Sequence, residues 1–270
     1  TSYIANAYEL VARVGIQGGT LTLLYRGEIQ SVTKRKAGGQ IKTILAGMGL
    51  VADLNKVYLS QTYTDTVANI VIDIIQNKVA PQSRVIYNVA KIGAATYSAT
   101  TLKFEMSAMK AIKYLAELQG GIEWGVDETG DFFFKPKAST VTNNDHVFIE
   151  GNNIFDIEEA ENSRFDLNSL VVEGQPNTQA IFTRTVTLSS DANTRGKKDK
   201  PAIATPFNTN ADADQWGTNV LNKSNQKETY VTAKVTSIKS RIEDATPITQ
   251  FRVIKTDGTQ TDYDLWSVEY

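Results

Sequence analysis

The chain has 270 residues, of which 41% are hydrophobic; its formal net charge is −2 and it contains no cysteine. This composition excludes global disorder, and the length fits one large domain or two to three small ones. The charge gives no general attraction to nucleic acid or acidic membranes, and the lack of cysteine excludes disulfides, thiolate metal sites and a cysteine nucleophile.

The only histidine of the sequence, His146, limits the chemistry further. A histidine-rich metal site is impossible, and a Ser–His–Asp triad would have to include this residue. Its surroundings, NNDHVFIEG, predict a surface histidine at the start of a strand. No apolar run reaches the ~20 residues that a membrane-spanning helix needs. Because the sequence starts without Met and stops in a strand-like segment, we expect a piece of a longer protein.

A β-hairpin is the first clear element of the sequence. Leu21–Thr33 has the pattern of a strand, Gly38-Gly39 that of a turn, and Gln40–Ala46 that of the antiparallel partner. Three cations lie near the turn: Lys34, Arg35 and Lys36. A charged hairpin tip is usually solvated, but in an oligomer it is a candidate subunit or assembly contact.

An amphipathic helix is predicted from Thr64 to Lys78, with Thr64 or Asp65 as its N-cap. Pro81 follows shortly after its end, as stop signals often do. The buried face has the i, i+3, i+4, i+7, i+8 spacing of one helix side. Its members are Val67, Ile70, Val71, Ile74 and Ile75.

A second helix and a hairpin come next. The helix begins at Glu105 or Ser107 and ends at Gln119, because Gly120-Gly121 supplies a C-terminal stop. Its apolar face consists of Ala108, Ala111, Ile112, Leu115 and Leu118. The hairpin alternates apolar residues on both arms around an Asp127–Gly130 turn. From these segments we expect a structural core that includes Ile70, Ile74, Ile112, Leu115 and Trp124.

The second half of the chain is mostly strand-like. A third helix, Ala211–Asn222, is capped by Thr209 or Asn210 and turns Ala213, Trp216, Val220 and Leu221 inward. The predicted strands are Asp145–Glu150, Ile154–Glu161, Asn168–Gly174, Gln179–Leu188, Thr229–Ser240, Ile248–Lys255 and Thr261–Tyr270.

Two charged clusters stand out in this half. The acidic cluster Asp156, Glu158, Glu159 and Glu161 could suggest a divalent cation, but it lacks the glycine and the oxygen spacing of a calcium loop. Alternate carboxylates on an exposed strand are the favoured interpretation. The polar stretch from Ser189 to Thr209 contains a basic run, Arg195, Lys197, Lys198 and Lys200. We expect it to be a solvated loop or an assembly contact.

The sequence carries no motif of a known catalytic or cofactor site. A phosphate-binding loop, a dinucleotide fingerprint, a nucleophile elbow and HExxH are all missing. The acidic residues Asp127, Glu128 and Asp131 lie in a hairpin turn, where they are ordinary turn formers. We therefore predict no enzyme activity, no cofactor and no metal.

The order of these segments resembles the hub proteins at the tip of bacteriophage tails. The resemblance rests on YRGEIQSV, TILAGMGLVADLNKVYLSQTYTDTVANIVIDII, FEMSAMKAIKYLAELQGGIEWGVDETGDFFFKP, LNSLVVEG and RGKKDKPAIATPFNTNADADQWGTNVLNK. The matching motifs are Tyr25-Arg26-Gly27, Ser107, Ala111-Ile112, Leu115-Ala116 and Trp124-Gly125-Val126-Asp127.

This resemblance implies an α+β, mainly β fold with two tail-tube-like β-barrel domains and an inserted small α+β region. Residues 1–60 would start the first barrel, 61–140 would form the insertion with two helices and a hairpin, and 141–270 would form the second barrel, with the chain partly returning to the first.

The resemblance also implies a structural role and a set of partners. Such hubs form a ring, commonly a homotrimer, that joins the tail tube to fibre or spike proteins and lines the DNA exit path. The implied partners are the tube or distal tail protein, the tape measure protein, and fibre or spike proteins. DNA would pass transiently, without sequence-specific binding or stable membrane insertion. The implied location is the virion tail tip, with assembly in the host cytoplasm.

Two other function classes stay open. One is a carbohydrate- or receptor-binding β module of a tail, with Trp124, Phe132–Phe134 or Trp266 as stacking surfaces. The other is a glycoside hydrolase with an acidic pair, because the distance between carboxylates cannot be read from the sequence.

Overall fold

A computed structural model describes residues 9–14, 21–37, 40–137, 147–162, 167–174, 182–188, 196, 199–224, 228–235 and 250–264. The strands in these ranges are β1 (Glu9–Val14), β2 (Thr22–Ala37), β3 (Gln40–Gly49), β4 (Tyr58–Tyr63), β5 (Leu102–Ser107), β6 (Ile122–Val126), β7 (Phe132–Pro136), β8 (Val147–Ile149), β9 (Ile154–Asn162), β10 (Ser169–Gly174), β11 (Phe182–Thr187), β12 (Asp199–Thr205), β13 (Glu228–Val235), β14 (Gln250–Ile254) and β15 (Gln260–Asp264).

The helices are α1 (Val67–Asp73), which continues as a π-helical segment (Ile74–Val79), α2 (Ala108–Gln119) and α3 (Asn210–Ser224). Short 3-10 turns lie at Leu50–Lys56, Ala80–Gln82 and Val89–Lys91. In these ranges no helix is long and apolar enough to cross a membrane.

The predicted helix starts are partly correct. Ser107 is the N-cap of α2, because its side chain accepts a hydrogen bond from the Lys110 backbone N–H. The predicted cap of α1 was wrong by one or two positions: Thr66 is the N-cap, and its hydroxyl accepts from the Asn69 N–H. Asp65 supports this cap from one residue earlier by accepting a 2.9 Å hydrogen bond from the Asn69 side-chain amide. The apolar spacing gave no sign of the π-helical segment.

The described strands form small open sheets. Their strand orders are β1-β2-β3, β4-β5, β6-β7, β11-β10-β12, β13-β9 and β15-β14-β8. Most neighbours are antiparallel, while β12 runs parallel to β10 and β8 runs parallel to β14. The expectation of a polar loop throughout residues 189–209 was wrong at its end, because Asp199–Thr205 pairs with β10 as a strand. The fold is therefore α+β and mainly β.

The chain divides into two compact units. The first comprises residues 1–10, 26–137 and 164–226, and the second comprises residues 11–25, 138–163 and 227–270. The three domain ranges expected from the sequence stay a prediction. The structure adds that α3 belongs to the same unit as α1 and α2.

The core of the first unit surrounds α2. The side chains of Ala108, Ala111, Ile112, Leu115 and Leu118 are all inaccessible to solvent. They belong to one apolar cluster with α1, the π-helical segment, α3 and the β6–β7 hairpin. Among the expected core residues, Ile70 and Ile74 are equally buried, whereas Trp124 is half-buried and packs at the margin of the cluster.

Helix α3 is fixed to α2 by polar contacts as well as by its apolar face. The Asn219 side-chain amide donates to the carbonyl oxygens of Glu117 and Leu118, at 3.0 and 2.9 Å. These carbonyls lie at the C-terminal end of α2, where no further turn of helix can satisfy them. The Trp216 indole N–H donates to the Glu117 carboxylate at 2.9 Å. The returning helix thus completes the end of α2.

The second unit has a smaller core. Phe148, Ile154, Phe251 and Val253 are its buried apolar residues. Tyr263 packs against them with its ring stacked on Phe251 at a centroid distance of 5.6 Å. This cluster lies between the β15-β14-β8 sheet and the start of β9.

We expect Leu115→Ala to lower the free energy of unfolding by about 2–5 kcal/mol, because it leaves a cavity in the middle of a filled core. Lys110→Ala, on the exposed side of the same helix, is the matched control and should change it by less than about 0.5 kcal/mol. Urea denaturation followed by circular dichroism measures both. Equal effects of the two substitutions would contradict the placement of the core.

Candidate assembly surface

The β2–β3 hairpin extends beyond the core as a two-stranded ribbon, which we call the arm (residues 30–37 and 40–48). β2 has sixteen residues, and at about 3.3 Å per residue it is roughly 53 Å long. The register is antiparallel, with Ala37 opposite Gln40 and Thr33 opposite Ile44. In the part of the chain that the structure describes, the outer edge of β3 has no neighbouring strand.

Both faces of the arm expose apolar side chains. Ile41 is 70% exposed, Ile44 49% and Met48 43%. Opposed residues of a ladder point to the same face, so Ile41 shares a face with Lys36, and Ile44 shares the other face with Thr33. A two-stranded ribbon without a covered face is marginally stable in water. Apolar groups exposed on both faces of such a ribbon favour an interaction surface.

The arm is also strongly cationic. Lys34, Arg35 and Lys36 are exposed, and none of them forms an ion pair with a described residue. Lys42 adds a fourth cation, and the sequence has no Asp or Glu between Glu28 and Asp53. The arm therefore combines apolar and cationic groups on a ribbon with few contacts of its own.

A β-bulge lies where the arm leaves the core. The register shifts between Ile29 and Ser31, so that Gln30 has no opposed residue on β3. Gly47 lies opposite Ile29, and a Cβ atom at this position would overlap the Glu28 carbonyl oxygen. The close approach of the two backbones explains why glycine occupies the position.

The base of the arm is held by four charged residues, which we call the clamp: Glu28, Asp53, Lys56 and Arg84. The Lys56 ammonium lies 2.8 Å from both the Glu28 and the Asp53 carboxylates. Arg84 contacts Asp53 through its Nε at 3.2 Å and also forms an ion pair with Glu28. Asp53 is only 4% exposed. The clamp thus joins β2 to the 3-10 turn Leu50–Lys56 and to the segment that follows α1.

The clamp keeps both of its carboxylates ionised. Burial acts to raise the pKa of Asp53, but hydrogen bonds from Arg84 and Lys56 outweigh it and lower the pKa below its usual value. Hydrogen bonds from Lys56 and Arg84 lower the pKa of Glu28 in the same way. Two anions and two cations balance, so the base of the arm adds no net charge to its tip.

The Asp127–Gly130 turn of the β6–β7 hairpin contains a second cluster of ion-paired residues. One Asp127 carboxylate oxygen accepts hydrogen bonds from the backbone and hydroxyl of Thr129 and from the Asp131 N–H, at 2.6–3.0 Å. The other contacts the Lys91 ammonium at 2.5 Å. Burial would raise the pKa of Asp127, but the hydrogen bonds, that of Lys91 foremost, lower it. This carboxylate is committed to the turn, as the sequence predicted for turn-forming acids.

A shallow cavity of about 290 Å³ opens beside this turn. Its lining includes Lys91, Asp127, Phe133 and Lys135. The Lys135 ammonium lies over the Phe133 ring, 5.4 Å from its centre.

The structure places the other predicted site residues as follows. Lys200 lies in β12, with only its backbone described, while His146, Arg195, Lys197 and Lys198 lie outside the described residues. In the acidic cluster, Asp156 forms an ion pair with Lys234 and Glu159 forms one with Lys255. Within the described ranges, no three His, Asp or Glu side chains converge as metal ligands would.

Sequence reasoning missed the clamp and the exposed apolar groups of the arm. The signal for the clamp was Asp53, a single acid inside the apolar run GLVADL. The signal for the arm was the spacing of Ile41, Ile44 and Met48, which does not keep to one face of a strand.

The fold is shared with solved tail proteins. The tail protein from Neisseria meningitidis MC58 matches with a TM-score of 0.64 at 13% sequence identity, over 90% of this chain and 74% of that chain. The 43 kDa tail protein of prophage MuSo2 from Shewanella oneidensis matches with a TM-score of 0.61 at 15% identity, over 97% of this chain and 78% of that chain. Prophage tail protein gp18 from Listeria monocytogenes EGD-e matches with a TM-score of 0.49 at 9% identity, over 90% and 73% of the two chains.

No family model and no curated protein matches the sequence significantly. The likeness to the Neisseria and Shewanella tail proteins is thus one of fold. At that level, the resemblance to phage tail proteins inferred from the sequence is confirmed.

Asp53→Asn should destabilise the protein by about 1–3 kcal/mol at pH 7, because it removes the anion that satisfies Arg84 and Lys56 in a buried position. Since the folded-state pKa values of Asp53 and Glu28 are lowered, the clamp contributes fully above the ordinary carboxyl pKa and loses its contribution as the pH falls through the folded values. The difference between wild type and variant should therefore shrink below about pH 4.

Urea denaturation at pH 7 and at pH 3 measures this change. Glu105→Gln is the control, because the exposed pair of Glu105 and Lys103 should contribute less than about 1 kcal/mol at either pH. A constant effect of Asp53→Asn across this pH range would show that the clamp charges do not act in folding.

Proposed function

We propose that the chain is a structural hub protein of a phage tail tip. It forms a ring, favoured as a homotrimer, that joins the tail tube to distal fibre or spike components and lines the DNA exit path. In this proposal its open sheets belong to two tail-tube-like β-barrels. Its place is the tail tip of the virion, after assembly in the host cytoplasm.

One observation carries the proposal: a tail-protein fold bears a cationic arm with exposed apolar groups on both faces. A ribbon of this kind gains stability when another surface covers it. A closed ring supplies such a surface and also hides strand edges that would otherwise promote aggregation. The tube or distal tail protein, the tape measure protein and the fibre or spike proteins are the proposed further partners.

The carbohydrate-binding alternative receives less support. Phe132 and Phe134 are fully buried, so neither presents a ring face to solvent, and Trp124 is half-buried against the core. Trp266 lies outside the described residues. Lys135 covers one side of the Phe133 ring. A hydrolase that uses Asp127 would have to remove this carboxylate from its turn and from Lys91.

Native mass spectrometry tests the ring. We expect a species of three times the 29.7 kDa chain mass at micromolar concentration. A matched run in high salt should show dissociation, because part of the contact is electrostatic. A monomer at every accessible concentration would contradict the ring.

The same measurement tests the basic run. We propose that it contacts the neighbouring subunit, so a variant with Arg195, Lys197, Lys198 and Lys200 changed to Ser should stay folded but assemble more weakly. Duplex DNA binding that persists at ~150 mM salt and is lost in this variant would instead indicate a nucleic-acid role, since nonspecific binding weakens steeply with salt.

A further inference from the structure

The two units of the chain carry opposite charge. The first unit contains 21 Lys and Arg against 17 Asp and Glu, and the second contains 7 against 13. Their formal charges are therefore +4 and −6, which together give the −2 of the whole chain. The four cations of the arm equal the entire excess of the first unit. The acidic excess lies in the unit to which the arm does not belong.

Strand β9 concentrates this negative charge. Its nine residues include four acids and no cation. Asp156 and Glu158 alternate on one strand face and are exposed, while Ile157 points the other way and packs on the core of the second unit. Asp156 forms an ion pair with the exposed Lys234, and the Glu158 carboxylate, which has no ion pair within 4 Å in the described residues, acts on the same ammonium. The outward face of β9 is thus an anionic strip.

The strands β3 and β9 are also similar in length and in their position at a sheet edge. Each is the last strand on its side of a sheet within the described residues, and they have ten and nine residues. Unpaired strand edges are templates for pairing with another chain.

We propose that the arm of one copy lies along β9 of the next copy, with the cationic face of the arm that carries Lys34 and Lys36 turned to the Asp156 and Glu158 carboxylates. The contact joins two different surfaces of the same chain, so repeating it around a rotation axis closes a ring. The partner is a second copy because the anionic strip is carried by the chain itself. This pairing rests on the proposed ring and names the surfaces that close it.

Charge reversal with rescue tests the pairing. The arm variant is Lys34→Glu/Arg35→Glu/Lys36→Glu, and the strip variant is Asp156→Lys/Glu158→Lys. Each alone should weaken self-association by roughly 10- to 100-fold, because like charges then face each other. The chain that carries all five changes should recover most of the assembly, since the two charges are exchanged. Sedimentation velocity over a concentration series measures this, with circular dichroism to verify folding.

The control variant is Lys110→Glu/Lys113→Glu/Lys223→Glu, which changes three exposed lysines of the first unit by the same total charge. It should assemble like the wild type.

The pairing is wrong if the combined variant stays dissociated. It is also wrong if the wild type forms a ring and the arm variant forms the same ring with unchanged affinity. An arm variant that assembles normally but loses duplex DNA binding at ~150 mM salt would assign the arm to nucleic acid. A monomeric wild type would instead contradict the proposed function.

Discussion

Helix α2 is the element on which the first unit depends. Its apolar face is completely buried against α1, α3 and the β6–β7 hairpin. The strand before it pairs with β4, and the hairpin that follows it supplies Phe132 and Phe134 to the same core. At its C-terminal end, the carbonyl oxygens of Glu117 and Leu118 accept hydrogen bonds from Asn219 of the returning α3. The core therefore requires residues from both halves of the sequence, which makes the unit discontinuous.

The arm, unlike this core, is held by contacts at one end only within the described residues. Its base is held by the bulge at Gly47 and by the clamp, where the buried Asp53 has two cationic partners. Its tip has no comparable support in the described residues, although it carries apolar side chains. A ribbon held firmly at one end and uncovered at the other is suited to reach a neighbouring molecule. The proposed ring turns the marginal stability of the free arm into a driving force for assembly.

The helices could be predicted from the sequence because local signals fix them. The cap Ser107, the spacing of Ile112 and Leu115, and the stop at Gly120 act within a few residues of one another. The strand Asp199–Thr205 could not be predicted, because its parallel partner β10 lies 25 or more residues away. The clamp could not be predicted for the same reason, because Glu28, Asp53 and Arg84 come together only after folding. The cations of the arm were identified from the sequence. The exposure of its apolar side chains was not, because exposure depends on which residues pack against them in the folded chain.

Hydrogen exchange of the β3 amides, as a function of protein concentration, tests the central claim that the arm is completed by another copy. Amides of residues 40–48 that lack an intramolecular partner or lie in a frayed ribbon exchange quickly in a monomer. We expect these amides to become protected as the concentration rises, while the α2 amides stay protected throughout. Exchange of β3 that is equally fast in dilute and assembled protein would contradict it.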